Sequence, residues 1–228
     1  ILATYRGLDP QGRFAFKMNG EAHTKSVGAL HWDVPAERLS AGGLDRSFTA
    51  FCAEPLVGVT AGNTYRFDVQ SVDDPVAYGL PNTDAGKAEA KLRGTMIREL
   101  FGRHYLNSVN AQSPDATKAF QAALWEITYE TVLPPGFEAA KAKFDLTTGT
   151  FRSDYPNAAD APQFVTVAQD YLRSLTGDDA TFYGPGLAGR ELVRMNGLPN
   201  AAGVVAQDQY ALRAQAAVAG GSVGTAIY

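Results

Sequence analysis

The side chain best suited to unusual chemistry is the thiol of Cys52, the only cysteine among 228 residues. A single cysteine cannot form an internal disulfide. In a secreted protein it therefore indicates a thiol that is reactive or chemically capped, whereas in a cytosolic protein it has no such meaning. The simplest alternative is a buried cysteine that packs as a small hydrophobic side chain. Composition alone leaves both interpretations open.

Three histidines, His23, His31 and His104, are the groups that could activate this thiol or bind a metal. Their spacing to one another and to Cys52 matches no zinc motif, and the sequence contains neither H-E-x-x-H nor C-x-x-C. We therefore expect no metal site. A cysteine hydrolase or transglutaminase-like enzyme remains an alternative, because catalytic partners need only meet in space. Against it, Cys52 lies within a predicted strand rather than at a helix N-terminus, where the helix dipole would lower its pKa.

Residues 184–189, Gly-Pro-Gly-Leu-Ala-Gly, match the glycine pattern of dinucleotide-binding loops. That function requires the loop to join a strand to a helix in a βαβ unit, with an acidic residue about 20 positions later. No βαβ pattern surrounds this segment, and Pro185 occupies the tight turn. We expect a surface loop here and no bound cofactor.

A predicted helix carries the second candidate group, the carboxamide of Gln121. The helix begins at residues 113–115, Ser-Pro-Asp, which suit a helix start, and it ends before residues 134–136, Pro-Pro-Gly. One face holds apolar residues at helical spacing: Phe120, Ala123, Leu124 and Ile127. Gln121 lies about a quarter turn away, so we expect its amide at the margin of the buried face, covered by Trp125. The alternative is a boundary glutamine that bonds to backbone.

Two segments of the chain resemble the paired signature of bacterial thioester domains. They are residues 51–54, Phe-Cys-Ala-Glu, and residues 120–127, Phe-Gln-Ala-Ala-Leu-Trp-Glu-Ile. The wider pattern is similar to secreted proteins of the PEP-CTERM type, on residues 62–65, 149–151 and 207–209. The similarity extends from about Val27 to Gln209, and the order and spacing of the motifs are more specific than any motif alone.

The resemblance implies an internal thioester between Cys52 and Gln121, with Phe51, Glu54 and Trp125 as supporting residues. The Cys52 thiolate would attack the side-chain amide carbon of Gln121, and ammonia would leave. Holding the two groups together raises their effective concentration by orders of magnitude, and shielding by the aromatic residues Phe51 and Trp125 would slow hydrolysis.

The function implied by this resemblance is a secreted or cell-surface adhesion module that reacts once rather than an enzyme that turns over. An amine attacks the stored thioester and becomes bonded to Gln121. The expected partner is an amine-bearing surface protein, through a lysine, or a polyamine or glycan ligand, and the module itself is expected to be a monomer. An extracellular matrix or glycan-binding module that binds non-covalently, with Cys52 as a free buried thiol, is the alternative.

Charge and hydropathy argue against two other classes of partner. The formal net charge is −4, only 19% of residues are charged, and no basic cluster occurs, so nucleic acid is not an expected ligand. No window approaches the roughly 18 uninterrupted apolar residues of a membrane span.

The elements that must position these groups follow in the order strands, helices, strands. This order predicts an α+β fold, a β-sandwich or barrel-like sheet with an inserted helical subdomain at about 84–177. We expect one domain over residues 1–228, with strands in 1–83 and returning strands in 178–228. The predicted elements are strands at 13–17, 47–53 and 64–70, helices at about 84–106, 113–130 and 160–175, and a hairpin-like stretch at 144–151.

Overall fold

The computed structural model describes residues 1–36, 43–110, 114–131, 133–155, 161–200 and 203–215. Within these ranges the chain forms seven strands and four α-helices. The strands are β1 (Leu2–Met18), β2 (Glu21–Asp33), β3 (Ser47–Cys52), β4 (Thr64–Ser71), β5 (Phe151–Ser153), β6 (Arg190–Leu198) and β7 (Gln209–Ala214). The helices are α1 (Asp84–Val109), α2 (Pro114–Tyr129), α3 (Phe137–Lys141) and α4 (Gln163–Arg173).

Six of the strands close into an antiparallel barrel. The order around the barrel is β1, β2, β3, β7, β6 and β4, and β4 pairs again with the start of β1. The short strand β5 pairs with the other end of β1. The expected α+β fold with a barrel-like sheet is therefore confirmed, in its barrel form.

The barrel begins with a long hairpin that the sequence predicts only in part. The predicted strand at 13–17 is the second half of β1, and all of β2 was missed. Asn19 and Gly20 connect the two strands and both have positive φ, 53° and 85°, as a two-residue type I′ turn requires. The register shifts twice along the pair, and such bulges obscure the simple alternation by which a strand is recognised.

The three long predicted helices are present, with small differences at their ends. α1 starts at Asp84 as expected and runs to Val109, and α4 covers Gln163–Arg173. The expected helix cap Ser113 and the expected start near Asp160 lie outside the described residues. The hairpin prediction at 144–151 was wrong, because residues 144–150 form turns and only Phe151–Ser153 is a strand, which pairs with β1.

The helices cover one side of the barrel and share a single hydrophobic core with it. Phe14 of β1 contacts Phe164 of α4, with ring centroids 5.4 Å apart. Phe51 of β3 contacts Phe120 of α2, with ring centroids 4.5 Å apart. Along the described part of the chain, no helix is long and apolar enough to cross a membrane.

Phe51 is the side chain that joins β3 to both long helices, since it also packs against Phe101 and Tyr105 of α1. We expect Phe51→Ala to lower the free energy of unfolding by about 3–5 kcal/mol, because it leaves a cavity in a closed interface. Urea denaturation measures this change. The exposed Val76→Ala should change stability by less than about 0.5 kcal/mol, and a similarly small effect of Phe51→Ala would show that the helical layer does not depend on this contact.

Candidate functional site

Cys52 is the last residue of β3, at the place where β2 no longer pairs with that strand. The final pair between the two strands is Leu30 with Ala50. On its other side β3 continues to pair with β7, and Cys52 lies opposite Gln209. Beyond Leu30, β2 contains Gly28 at a φ of 152°, a conformation that side-chain-bearing residues rarely adopt. The main chain of Cys52 therefore has no strand partner on the β2 side.

The carboxamide of Gln121 occupies the position that β2 has left. The Cys52 N–H donates to Gln121 Oε1 at 2.9 Å, and Gln121 Nε2 donates to the Cys52 carbonyl oxygen at 2.7 Å. The two residues are 69 positions apart in sequence, and Gln121 is only 1% exposed. The structure thus brings together Cys52 and Gln121, the two residues that the sequence analysis singled out, and the amide pairs with the backbone of Cys52.

Gln121 is more buried than helical spacing predicted. We expected it at the margin of the buried face, but the side chains of α2 from Ala119 to Thr128 are all buried. The reason is that α2 is enclosed on several sides, since it contacts α1, α4 and the β1–β2 hairpin. A single helix viewed alone cannot reveal such neighbours.

Trp125 reaches the same carbonyl group from one helical turn further along α2. Its Nε1 donates to the Cys52 carbonyl oxygen at 2.9 Å, and its ring packs on Phe14, Phe16 and Phe151. The Cys52 carbonyl oxygen therefore accepts two hydrogen bonds. Loss of one donor would leave the other in place.

The thiol of Cys52 is held in its neutral form. Burial raises the pKa of the thiol to about 12, and hydrogen bonds from the Glu54 N–H and from Trp125 offset only part of this effect. A thiol that stays protonated at neutral pH is a weak nucleophile toward solvent reagents. This environment differs from that of cysteine enzymes, in which neighbouring groups lower the thiol pKa.

A second buried carboxamide, Gln209, lies next to Cys52 and was missed as a site residue. Because Ala53 N–H bonds to the Asp208 carbonyl oxygen, Cys52 and Gln209 form a non-hydrogen-bonded pair, in which facing side chains approach most closely. Gln209 is fully buried, and neither its Oε1 nor its Nε2 has a hydrogen-bond partner among the described residues. The signal in the sequence was a glutamine in a predicted returning strand.

Glu54 and Asp208 connect the ends of the two strands that carry Cys52 and Gln209. The Asp208 N–H donates to Glu54 Oε2 at 3.4 Å, and Arg194 Nη2 donates to Asp208 at 2.7 Å. Burial and the neighbouring Asp208 carboxylate raise the pKa of the Glu54 carboxyl group. Glu54, expected as a supporting residue, thus lies beside the site and accepts a hydrogen bond from the backbone N–H of Asp208, just before β7.

A small chamber opens beside the thiol. Its volume is about 160 Å³, and Cys52, Gln121 and Trp125 form its buried end. The remaining walls are largely apolar and come from β1, β2, and the loop after β3: Tyr5, Leu8, Lys25, Ser26, Gly28, Leu30, Pro55, Val57, Gly58 and Val59, together with Gln207. The chamber provides a path by which a small group could reach Cys52.

The other candidate groups lie elsewhere. None of the three histidines lines the chamber. His104 stacks on Tyr171, and burial lowers its pKa to about 4. Residues 184–189 follow a 3₁₀ turn and lead into the antiparallel strand β6, so they do not join a strand to a helix. The described residues contain no group of three or more His, Cys, Asp or Glu side chains placed to hold a metal.

Comparison with known proteins gives no further assignment. No protein-family model matches the chain, and neither the curated proteins nor the solved structures yield a significant match.

The raised thiol pKa predicts a pH-dependent stability for protein that carries free Cys52. An unfolded thiol ionises near its ordinary pKa of 9.0, whereas the folded thiol resists ionisation up to about 12. Relative to Cys52→Ala, the free energy of unfolding should therefore be undiminished below about pH 9 and should fall above it, by at most about 1.4 kcal/mol per pH unit. Urea denaturation at several pH values measures this difference.

The same comparison distinguishes protein with a free Cys52 thiol from protein in which Cys52 is part of a thioester. In a closed thioester the sulfur cannot titrate, so this loss should be absent from protein whose intact mass shows the bond. Identical pH profiles for free-thiol protein and Cys52→Ala would contradict the burial of the thiol.

Proposed function

We propose that this chain is a module with an internal thioester between Cys52 and a glutamine. An amine on a partner surface attacks this thioester and becomes covalently bonded to the glutamine. One observation carries the proposal: two buried glutamine residues lie next to the buried residue Cys52. Gln121 pairs with the Cys52 backbone, and Gln209 lies opposite Cys52 with no hydrogen-bond partner for its amide among the described residues. A thiol and a carboxamide held together in a site that excludes water are the reactants for an internal thioester.

The bond-forming step balances without any added reagent. The sulfur of Cys52 bonds to the side-chain Cδ of a glutamine, and the C–N bond of that amide breaks. The thiol proton leaves with the amide nitrogen as ammonia. A backbone N–H that donates to the amide oxygen would stabilise the charge that develops there, and the Cys52 N–H already donates to Gln121 Oε1.

Gln121 is the acyl partner implied by the sequence resemblance, and its position supports that role. Its amide is held against Cys52 by two hydrogen bonds. If its nitrogen left as ammonia, the Cys52 carbonyl oxygen would keep the bond from Trp125 Nε1. The Cys52 carbonyl oxygen would therefore still have a hydrogen-bond donor after a thioester formed at Gln121.

Gln209 is a second candidate acyl partner, and its unpaired amide favours it. A buried polar group without a hydrogen bond costs about 1–3 kcal/mol. Thioester formation at Gln209 would remove both N–H donors of an amide that lacks any described partner. In this arrangement Gln121 would instead hold the Cys52 backbone in position while the bond forms.

The burial that protects the thiol also governs how the stored bond reacts. A thiolate leaves more readily than an amide nitrogen, so a thioester is activated toward amines. Because burial raises the pKa of the Cys52 thiol to about 12, the sulfur is a poorer leaving group here than in water. The bond would then persist longer than an exposed thioester.

The wider expectations remain part of this proposal. We propose a secreted or cell-surface location, an adhesive role toward a lysine-bearing surface protein, a polyamine or a glycan, and action as a monomer. We also propose that residues 84–177 form a helical insertion within one domain. The position of α1 to α4 between β4 and β6 in the chain supports that organisation.

Methylamine uptake tests the reaction and identifies the acyl partner. Native protein should begin with a mass lower than its sequence by one ammonia and should gain one methylamine, after which a thiol reagent labels Cys52 upon unfolding. Cys52→Ala should take up none. Peptide mapping by mass spectrometry locates the methylamide at Gln121 or at Gln209.

Leucine variants separate the two glutamines. Gln209→Leu replaces an amide that has no described partner by an apolar group of similar size, so we expect little loss of stability apart from that of any cross-link removed with the amide. Gln121→Leu leaves the Cys52 N–H unpaired and should cost about 1–3 kcal/mol. Loss of uptake in Gln209→Leu but not in a folded Gln121→Leu would assign the bond to Gln209, and the reverse would assign it to Gln121. Equal uptake by wild type and Cys52→Ala would refute the thioester mechanism.

A further inference from the structure

The chamber beside Cys52 has a buried end and an open end. Cys52, Gln121 and Trp125 are buried, whereas Ser26 and Gly58 are exposed. A volume of about 160 Å³ has room for several water molecules or for a short aliphatic amine. An acceptor whose amine reaches Cys52 would therefore have its other end near the open side.

Of the described residues that line the chamber, Lys25 is the single charged one. It lies on β2 opposite Phe14 and is half-buried. Among the residues that the structure describes, Lys25 forms no salt bridge, in contrast to Lys17, which pairs with Asp154, and Lys118, which pairs with Asp115. No carboxylate in the described part of the chain therefore lies within salt-bridge distance of its ammonium group.

From this placement we propose that Lys25 selects the acceptor by charge. The chamber favours a primary amine whose far end is anionic over one whose far end is cationic. This narrows the partners proposed above: a lysine side chain flanked by acidic residues on a protein surface is favoured, and polyamines are disfavoured. This inference rests on the proposed thioester, and it holds for either glutamine because Cys52 itself lines the chamber.

The electrostatic argument concerns the far end of the acceptor, not the reacting nitrogen. The reacting amine must lose its proton before it attacks, so Lys25 meets it as a neutral group. A second charge on the acceptor persists, and it interacts with Lys25 because Lys25 lines the chamber. At low salt such an interaction changes a rate by about threefold to tenfold for each charge, and it weakens as ionic strength rises.

Three amines of similar length test the selection: 5-aminopentanoate, pentylamine and 1,5-diaminopentane. Their rates of addition to native protein are measured by intact mass at one pH and low salt. We expect wild type to prefer them in that order, by about threefold to tenfold per step. Lys25→Met should bring the three rates close together, and Lys25→Glu should reverse the order.

Lys87→Glu supplies the matched control, because it makes the same charge change at an exposed position of α1 outside the chamber. It should keep the wild-type order. Equal rates in wild type, or an order that survives in Lys25→Glu, would overturn the charge selection while leaving the thioester intact. A product with the closed-thioester mass and a titratable Cys52 thiol would also overturn it, since Lys25 would then have taken the acyl group itself.

Failure of the thioester proposal has a different signature. Protein that has the mass of its full sequence and adds none of the three amines would refute the proposed function, and this inference with it.

Discussion

The paired hydrogen bonds between the Gln121 carboxamide and the Cys52 backbone are the constraint on which the rest of this site depends. Where β2 separates from β3, the buried Cys52 N–H would lack an acceptor without Gln121, and its carbonyl oxygen would keep only the bond from Trp125. Folded proteins rarely leave a buried backbone N–H without a partner. A side-chain amide can replace a strand because it offers one donor and one acceptor at similar spacing. The pairing of the Gln121 amide with the Cys52 backbone fixes α2 against the barrel.

Several features follow from that docking. It fixes the rotation of α2, so that Trp125, one turn later, also reaches the Cys52 carbonyl oxygen. It lets β2 diverge at Gly28, and the space between the diverging strands becomes the chamber. It also buries the thiol, which explains why the pKa of the thiol is raised. The backbone pairing of Cys52, the access to its thiol through the chamber and the reactivity of that thiol therefore have one structural cause.

The fold was more predictable from sequence than the site was. Helical periodicity located α1, α2 and α4, and the order of elements indicated a barrel-like α+β fold. Strand β2 was not predicted because bulges disturb its pairing with β1. Strand β5 was predicted as part of a hairpin because its true partner, β1, is distant in sequence.

The pairing of Cys52 with Gln121 could be predicted only through the resemblance, because 69 positions separate the two residues. Residues 207–209 belong to the wider resemblance, but the resemblance gave Gln209 no role at the site. Its proximity to Cys52 depends on the register between β3 and β7, which periodicity does not reveal. Its unpaired amide departs from the rule that buried polar groups are hydrogen-bonded, and such departures concentrate at functional sites.

The most direct test of the thioester is a crystal structure of freshly purified protein at a resolution that separates bonded from non-bonded atoms. Our account predicts continuous electron density from Cys52 Sγ to the side-chain Cδ of Gln209 or Gln121, with no amide nitrogen on the bonded residue. Two intact carboxamides beside a separate thiol, in protein whose mass equals that of its full sequence, would contradict it.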